Sequence, residues 1–471
     1  MNITKPSKVL SFIVSSIIIA GCSAPSAIRE STHNFIAPEK WQSAISKQQS
    51  PIVNNWVDTL QDKNLSALIE QALNNNQQYK SSYYSLILAE QQVTIAGASL
   101  LPELNLSAEQ SRRKAVGDQV QSYDNNADIS LQLSYEVDLW GKLSAQQRQA
   151  NLQYASAKAQ LEQQRLTLIT EVASTWFTLA EANQLLSLYQ ERAKNLTDNL
   201  EMMERSYRLG LNQALDVYLA KNDVSSQLAR VAQQQQQVLE IQRQLFLLLG
   251  APEQSVVYNT RDLPILNENI AVGTPSDLLT RRPDLKSSWY DLLAANAGLA
   301  IAHKQRFPSI QLRANIGDSA EEIGSLLSGE PLAWSLIGSL TAPIFNAGKL
   351  AAQEEVSRLT VKQKEQQYLQ SLHASFVEVE NALSNRQALQ ERYTQFNQSL
   401  ENTLAARKLA FDQYMKGLVT YSTVLEAQRR AFDTQTQLIQ LTNQIIQNKI
   451  TLHAALGGNT SELANGLWSA E

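Results

Sequence analysis

Ile129-Ser130-Leu131-Gln132-Leu133-Ser134-Tyr135-Glu136-Val137-Asp138-Leu139-Trp140-Gly141-Lys142-Leu143 is the stretch that decides the fold. From Ile129 to Val137 apolar and polar residues alternate, the period of a strand with one apolar and one polar face. After Gly141 the period changes. No Gly or Pro occurs in the 68 residues between Gly141 and Gly210, and Ile169, Val172, Ala173, Trp176, Phe177 and Ala180 fall on one helical stripe. At 1.5 Å per residue such a segment makes a helix about 100 Å long, suited to a coiled coil or helical tube rather than a globular core.

Moving outward, the pattern occurs twice. Lys80-Ser81-Ser82-Tyr83-Tyr84 returns 206 residues later as Lys286-Ser287-Ser288-Trp289-Tyr290, and Pro102 returns as Pro308. Gly141-Lys142-Leu143 returns at an offset of 207 as Gly348-Lys349-Leu350. Tyr207-Arg208-Leu209-Gly210-Leu211 likewise returns as Tyr414-Met415-Lys416-Gly417-Leu418, and Leu249-Gly250 as Leu456-Gly457. The gaps free of Gly and Pro repeat too: 68 residues from Gly348 to Gly417, and 39 residues after each of Gly210 and Gly417. A near-constant offset over five matches is evidence of duplication. In the second long gap the stripe is Tyr368, Leu372, Phe376, Val379 and Leu383, and Gln233 to Gln237 reads as a solvated face.

Each copy carries two strands. Leu104, Leu106 and Ala108 alternate with polar residues in the first; Ile310, Leu312, Ala314 and Ile316 do so in the second. Trp334, Leu336, Gly338, Leu340, Ala342 and Ile344 give a fourth strand its apolar face. Polar loops are expected over 113–127 and 317–332, and helices over about 64–100 and 276–305. Strands of roughly ten residues span a membrane when tilted, and Trp140, Phe307, Trp334 and Phe345 lie near strand ends, where an aromatic girdle belongs.

The chain has 471 residues but only 17 Gly and 12 Pro, roughly half the average usage, which means few turns and long elements. Its net charge of −5 gives no basic field for nucleic acid. One cysteine excludes an intrachain disulfide. Lys5 and Lys8 followed by the short apolar run Val9–Ala20 fit a secretory signal. The run ends in Ile19-Ala20-Gly21-Cys22, which resembles a bacterial lipobox and implies cleavage and lipidation at Cys22; Ser23 resembles the outer-membrane sorting context. The expected organisation is therefore a signal over 1–21, a lipid-anchored strap over 22–60, and two structural repeats over 61–262 and 263–471.

Four strands cannot close a barrel, and an open sheet edge is not allowed in lipid. Several copies must each contribute four; two, three or four copies give 8, 12 or 16 strands, and physics alone does not choose. Here the lipobox, Tyr135-Glu136-Val137-Asp138-Leu139-Trp140-Gly141-Lys142, Arg281-Arg282-Pro283-Asp284-Leu285, Phe307-Pro308-Ser309 and the turns at Gly210 and Gly417 together resemble the TolC-like outer-membrane factor family, in its lipoprotein branch. The resemblance covers about residues 40 to 460. It implies a mainly α protein with a four-strand β contribution, a duplicated helix-strand-strand-helix repeat, and a homotrimer whose 12-stranded β-barrel continues into a periplasmic α-helical barrel. It also implies the exit duct of a tripartite efflux pump, passive, docked on a periplasmic adaptor (membrane fusion) protein and an inner-membrane transporter, with no cofactor.

The resemblance also points to the two Gly-centred turns as the periplasmic tip. It implies an adaptor contact over Arg208, Gly210, Leu211, Lys416, Gly417 and Leu418, and a gate of Glu426, Asp216 and Tyr414. Three copies of Glu426 would form an acidic ring, weakened because Thr423 stands where the family often has a second acid. Tyr414 is expected to donate to Asp216, and Val419 replaces an arginine of the family latch. Arg281-Arg282-Pro283-Asp284 is expected to be structural. His33, His303, His373 and His453 have no metal-ligand spacing, Met202, Met203 and Met415 read as helix packing, and no nucleophile–base pair or phosphate loop is evident. A periplasmic coiled-coil adaptor lipoprotein is the competing reading, but it should have one helical hairpin within β-rich flanks rather than two matched strand pairs.

Overall fold

A computed structural model describes residues 40–43, 56–116, 121–211, 213–252, 263–265, 272–326 and 332–458. The signal, Cys22 and most of the expected strap lie outside the described residues. The elements follow in the order α1 (Lys63–Asn75), α2 (Gln77–Ala98), β1 (Glu103–Val116), β2 (Gln121–Val137), α3 (Lys142–Arg208), α4 (Ala214–Leu249), α5 (Leu278–Arg281), α6 (Pro283–Lys304), β3 (Ser309–Ala320), β4 (Ala333–Thr341), α7 (Lys349–Met415) and α8 (Tyr421–Ala455). The two long gaps become helices of 67 residues each, and the shorter ones helices of 36 and 35. The chain forms two compact units, one of residues 84–159 and 286–370, the other of 37–83, 160–285 and 371–471.

The first unit holds the sheet, with order β1-β2-β3-β4 and every pair antiparallel. Its register lines the apolar residues of all four strands into rows: Leu106, Leu131, Ile316 and Trp334 in one, Leu104, Leu133, Ala314 and Leu336 in the next. Leu106, Leu336 and Leu340 are exposed, so nothing among the described residues covers this face. The hairpins are longer than the sequence suggests. β1 and β2 stay paired as far as Val116 and Gln121, through most of the segment expected to be a loop. Polar side chains hold this extension: Arg113 faces Asp124, and the Arg112 guanidinium lies 4.7 Å from the Tyr123 ring centre. β3 likewise continues to Ala320, and β4 stops at Thr341, leaving Ala342 and Ile344 beyond the strand.

Both preceding helices are interrupted. Asn76 is extended and serves two helices: its N–H bonds Ala72 O, while its side chain accepts from Tyr79 N at 2.9 Å and donates to Leu248 O at 3.0 Å. Arg282 is extended because it precedes Pro283, which starts α6.

The second unit has its core on the predicted stripe. Ile169, Val172, Ala173, Trp176 and Phe177 pack with Leu65, Ile69 and Leu73 of α1, Leu245 of α4 and Ile450 of α8. Arg282 bolts this unit. Its guanidinium binds both Asp284 oxygens at 3.0 and 2.7 Å, Glu378 at 2.6 Å and Ala455 O at 3.1 Å, so the Arg-Arg-Pro-Asp motif ties α6 to α7 and α8. The Gln run is not wholly solvated: Gln234 is buried and donates to Ala182 O at 3.1 Å, as Gln227 does to Tyr189 O at 3.0 Å. Gln447 donates to Ser174 O at 2.9 Å. Part of the amide-rich composition thus forms hydrogen-bonded seams between helices.

Candidate functional site

The two repeat turns share one backbone solution. Gly210 and Gly417 have φ of +74° and +72°, the left-handed conformation that closes a helix C-terminus. Gly210 N bonds Tyr207 O at 2.9 Å and Leu211 N bonds Ser206 O at 3.0 Å; Gly417 N bonds Tyr414 O at 2.9 Å and Leu418 N bonds Gln413 O at 3.0 Å. The residues expected to meet a partner, Arg208, Gly210, Leu211, Lys416, Gly417 and Leu418, are all exposed.

Behind the turns, the four helix ends share a small core. Met203 of α3, Val217 and Ala220 of α4, and Tyr421 and Val424 of α8 are buried together, with Met202 and Tyr414 packed against them. Met203 thus has a packing role. Tyr414 Oη donates to the Met203 sulfur at 3.5 Å, where the resemblance has it donating to Asp216, and its ring lies 5.7 Å from that of Tyr421. Nothing in the sequence singles out Tyr421. Its hydroxyl is buried with no hydrogen-bond partner among the described residues, and burial, reinforced by Asp223, Tyr414 and Asp216, pushes the phenol above its usual range. Asp216 is therefore close to this cluster through Tyr421.

Glu426 is not the free acid that a ring requires. Its Oε2 accepts from Arg429 Nη2 at 2.6 Å and Nε at 3.1 Å, and its Oε1 from Arg430 Nε at 2.7 Å. Hydrogen bonds from Arg430 and Arg429 hold the carboxyl below the usual range. The spacing of three and four residues on one helix face was the available signal.

A second constellation sits where the sheet meets the helices. The Asp138 carboxylate accepts from Leu143 N and Ser144 N, each at 2.9 Å, and from Ser144 Oγ at 2.6 Å, capping α3. Burial acts to raise the Asp138 pKa, but the Ser144 and Leu143 bonds and the Lys304 charge outweigh it and hold the carboxyl below its ordinary value. Trp140 Nε1 donates to Pro308 O at 2.7 Å, its ring stacks on Phe307 at 5.2 Å, and Lys304 Nζ donates to Gly141 O at 2.9 Å. Trp334 stands exposed at the start of β4, in the row with Leu106 and Leu131, whereas Trp140 is tied down by these contacts.

The sequence profile of the outer membrane efflux protein family matches residues 68–251 and 274–458, one match per repeat. The chain belongs to this family. Among its relatives, the pyoverdine export outer membrane protein OpmQ of Pseudomonas putida is 28% identical over 454 residues, covering 94% of this chain and 96% of OpmQ. The probable outer membrane lipoprotein SilC of Salmonella typhimurium is 28% identical, covering 94% and 97%. Among solved structures, the outer-membrane channel OprN superposes with a TM-score of 0.84 at 23% identity, over 90% of this chain and 97% of that one. The CmeC outer membrane channel of Campylobacter jejuni gives 0.84 at 23%, over 90% and 93%. This outer membrane efflux protein therefore has the channel fold in two repeats and is an outer-membrane protein. The adaptor reading has no support, since the two strand pairs join one four-stranded sheet. Family members are named for transport rather than for catalysis.

Proposed function

We propose that three copies of this chain close a 12-stranded barrel and continue it as a helical tube, the passive exit duct of a tripartite efflux pump. The observation that carries this reading is the sheet: among the described residues one apolar face has no cover, and the two outer edges, β1 and β4, have no partner strand. Lipid satisfies the face, and neighbouring copies satisfy the edges. Cys22 is the lipid anchor, residues 1–21 its signal, 22–60 the strap, and 61–262 and 263–471 the two repeats. The paired turns are the periplasmic tip, where Arg208, Gly210, Leu211, Lys416, Gly417 and Leu418 meet a periplasmic adaptor while Glu426, Asp216 and Tyr414 line the gate. The adaptor links the duct to an inner-membrane transporter that supplies the energy, so the chain needs neither catalytic residues nor a cofactor.

Purified full-length protein in a planar bilayer tests the duct. Discrete conductance steps are expected, larger in Glu426→Gln and Asp216→Ala. No conductance in the wild type or in either variant would overturn the reading. Unlabelled Cys22→Ala after growth with radioactive palmitate is expected; full labelling would overturn the anchor.

A further inference from the structure

We propose that Arg429 and Arg430 cancel the acidic ring at the tip, so that the gate does not select cations and passes anionic and zwitterionic solutes at least as readily. The inference rests on the duct reading above. Glu426, Arg429 and Arg430 lie on one stripe of α8, with side chains 40%, 61% and 72% exposed. The opposite stripe, Tyr421, Val424, Gln428 and Ala431, is buried within the chain, so the three charges share whatever aqueous space Glu426 faces. Both carboxylate oxygens are engaged by guanidinium groups, and the guanidiniums outnumber the carboxylate two to one. Such exposed pairs add little to stability, but the field a permeating ion meets is the sum of the charges, and that sum is positive along this stripe.

Neighbouring elements add further charges at this level, and Asp216 and Asp223 of α4 both act on Tyr421. Asp223 of α4 is close enough to feel Arg192 and Arg429, though burial is the largest influence on it and pushes its pKa up. Arg192 in turn lies 3.8 Å from Asp433. Counting Asp216, Asp223, the Arg192–Asp433 pair and Arg230, which acts on Arg192, brings the level to neutrality. Rings of carboxylates favour cations and rings of arginines favour anions; a constriction with both in balance loses the preference that bare carboxylates impose. Three copies would bring six guanidiniums against three Glu426 carboxylates.

The test is the reversal potential of the purified wild-type protein under a tenfold KCl gradient, with three variants. The wild type is expected to show a cation-to-anion permeability ratio near or below one. Arg429→Gln/Arg430→Gln should raise that ratio several-fold by unmasking Glu426, and Glu426→Gln should lower it. Arg429→Lys/Arg430→Lys keeps the charge and should leave the ratio as in the wild type. A cation-selective wild type, a ratio unmoved by the double Gln variant, or a Lys variant behaving like the Gln variant would each overturn the proposal. These failures differ from failure of the duct, which is the lack of any conductance at all.

Discussion

The two strand-to-helix junctions occupy equivalent places in the duplication but are finished differently. At the first, Asp138 caps α3, Trp140 stacks on Phe307, and Lys304 binds Gly141 O. At the second, the Asn346 side chain reaches Leu350 N at only 3.4 Å, and Ala347 takes φ +51°, a conformation that costs a non-glycine residue about 1 kcal/mol. Ile344 and Phe345 are 92% and 89% exposed. The partners of the first junction explain the contrast. Lys304, Phe307 and Pro308 come from the second repeat, and their counterparts in the first repeat are Ala98, Leu101 and Pro102. Within one chain those counterparts lead into β1 at the other edge of the sheet, so nothing among the described residues closes the second junction, and in the proposed trimer that falls to another copy's first repeat.

The sharpest way to break this comparison is to fix the register it demands. β2 pairs with β3 with Leu133 opposite Ala314; the hairpins relate Leu133 to Leu340 and Ala314 to Ala108. β4 of one copy should therefore meet β1 of the next with Leu340 opposite Ala108. Leu340→Cys/Ala108→Cys should form an interchain disulfide, because facing strand residues lie within the Cα separation a disulfide needs. A covalent trimer on non-reducing gels is expected, essentially complete. Cross-linking that prefers Leu340→Cys/Leu106→Cys would shift the register, and a covalent dimer or tetramer would change the copy number.

A smaller but still large effect separates the junctions by stability. Trp140→Ala removes a stacked ring and strands the Pro308 carbonyl, and should destabilise the first unit by about 3–5 kcal/mol in denaturant unfolding. Phe345→Ala at the second junction removes an exposed ring. It should leave unfolding of the separated chain unchanged while weakening the trimer in detergent titration. Equal effects of both variants on the separated chain would erase the distinction between an internally closed and an externally closed junction.

Much of this was legible in the sequence because glycine and alternation are local signals. Gly141, Gly210, Gly348 and Gly417 all have positive φ, and the corners they mark are real. The two-residue period gave each strand its face. It did not give strand length, because a ladder between polar residues such as Arg113 and Asp124 has no apolar pattern to read. Nor did it reveal which polar residues are buried: Gln234 and its exposed neighbours are chemically identical, and only the facing Ala182 carbonyl tells them apart. At the tip, Glu426 was visible as an acid, but its charge state toward solvent depends on Arg429 and Arg430. Tyr421 was invisible as a site because an aromatic at a helix start reads as packing.

The mildest difference between the junctions lies in their caps. Asp138→Ala loses three accepted hydrogen bonds at the start of α3 and should cost about 1–2 kcal/mol near neutral pH. Asn346→Ala loses one long bond and should cost no more than about 0.5 kcal/mol. The pH dependence distinguishes them further. The Asp138 pKa is held below its unfolded value, so its contribution is fully present above about pH 4 to 5 and is lost as pH falls through the folded pKa. The wild type and Asp138→Ala should therefore converge in stability as the medium is made strongly acidic, while Asn346→Ala, with no titrating group, should keep its small deficit throughout. A deficit for Asp138→Ala that persists unchanged in strong acid would mean that the Asp138 side chain acts by packing, and the charged cap would no longer distinguish the first junction from the second.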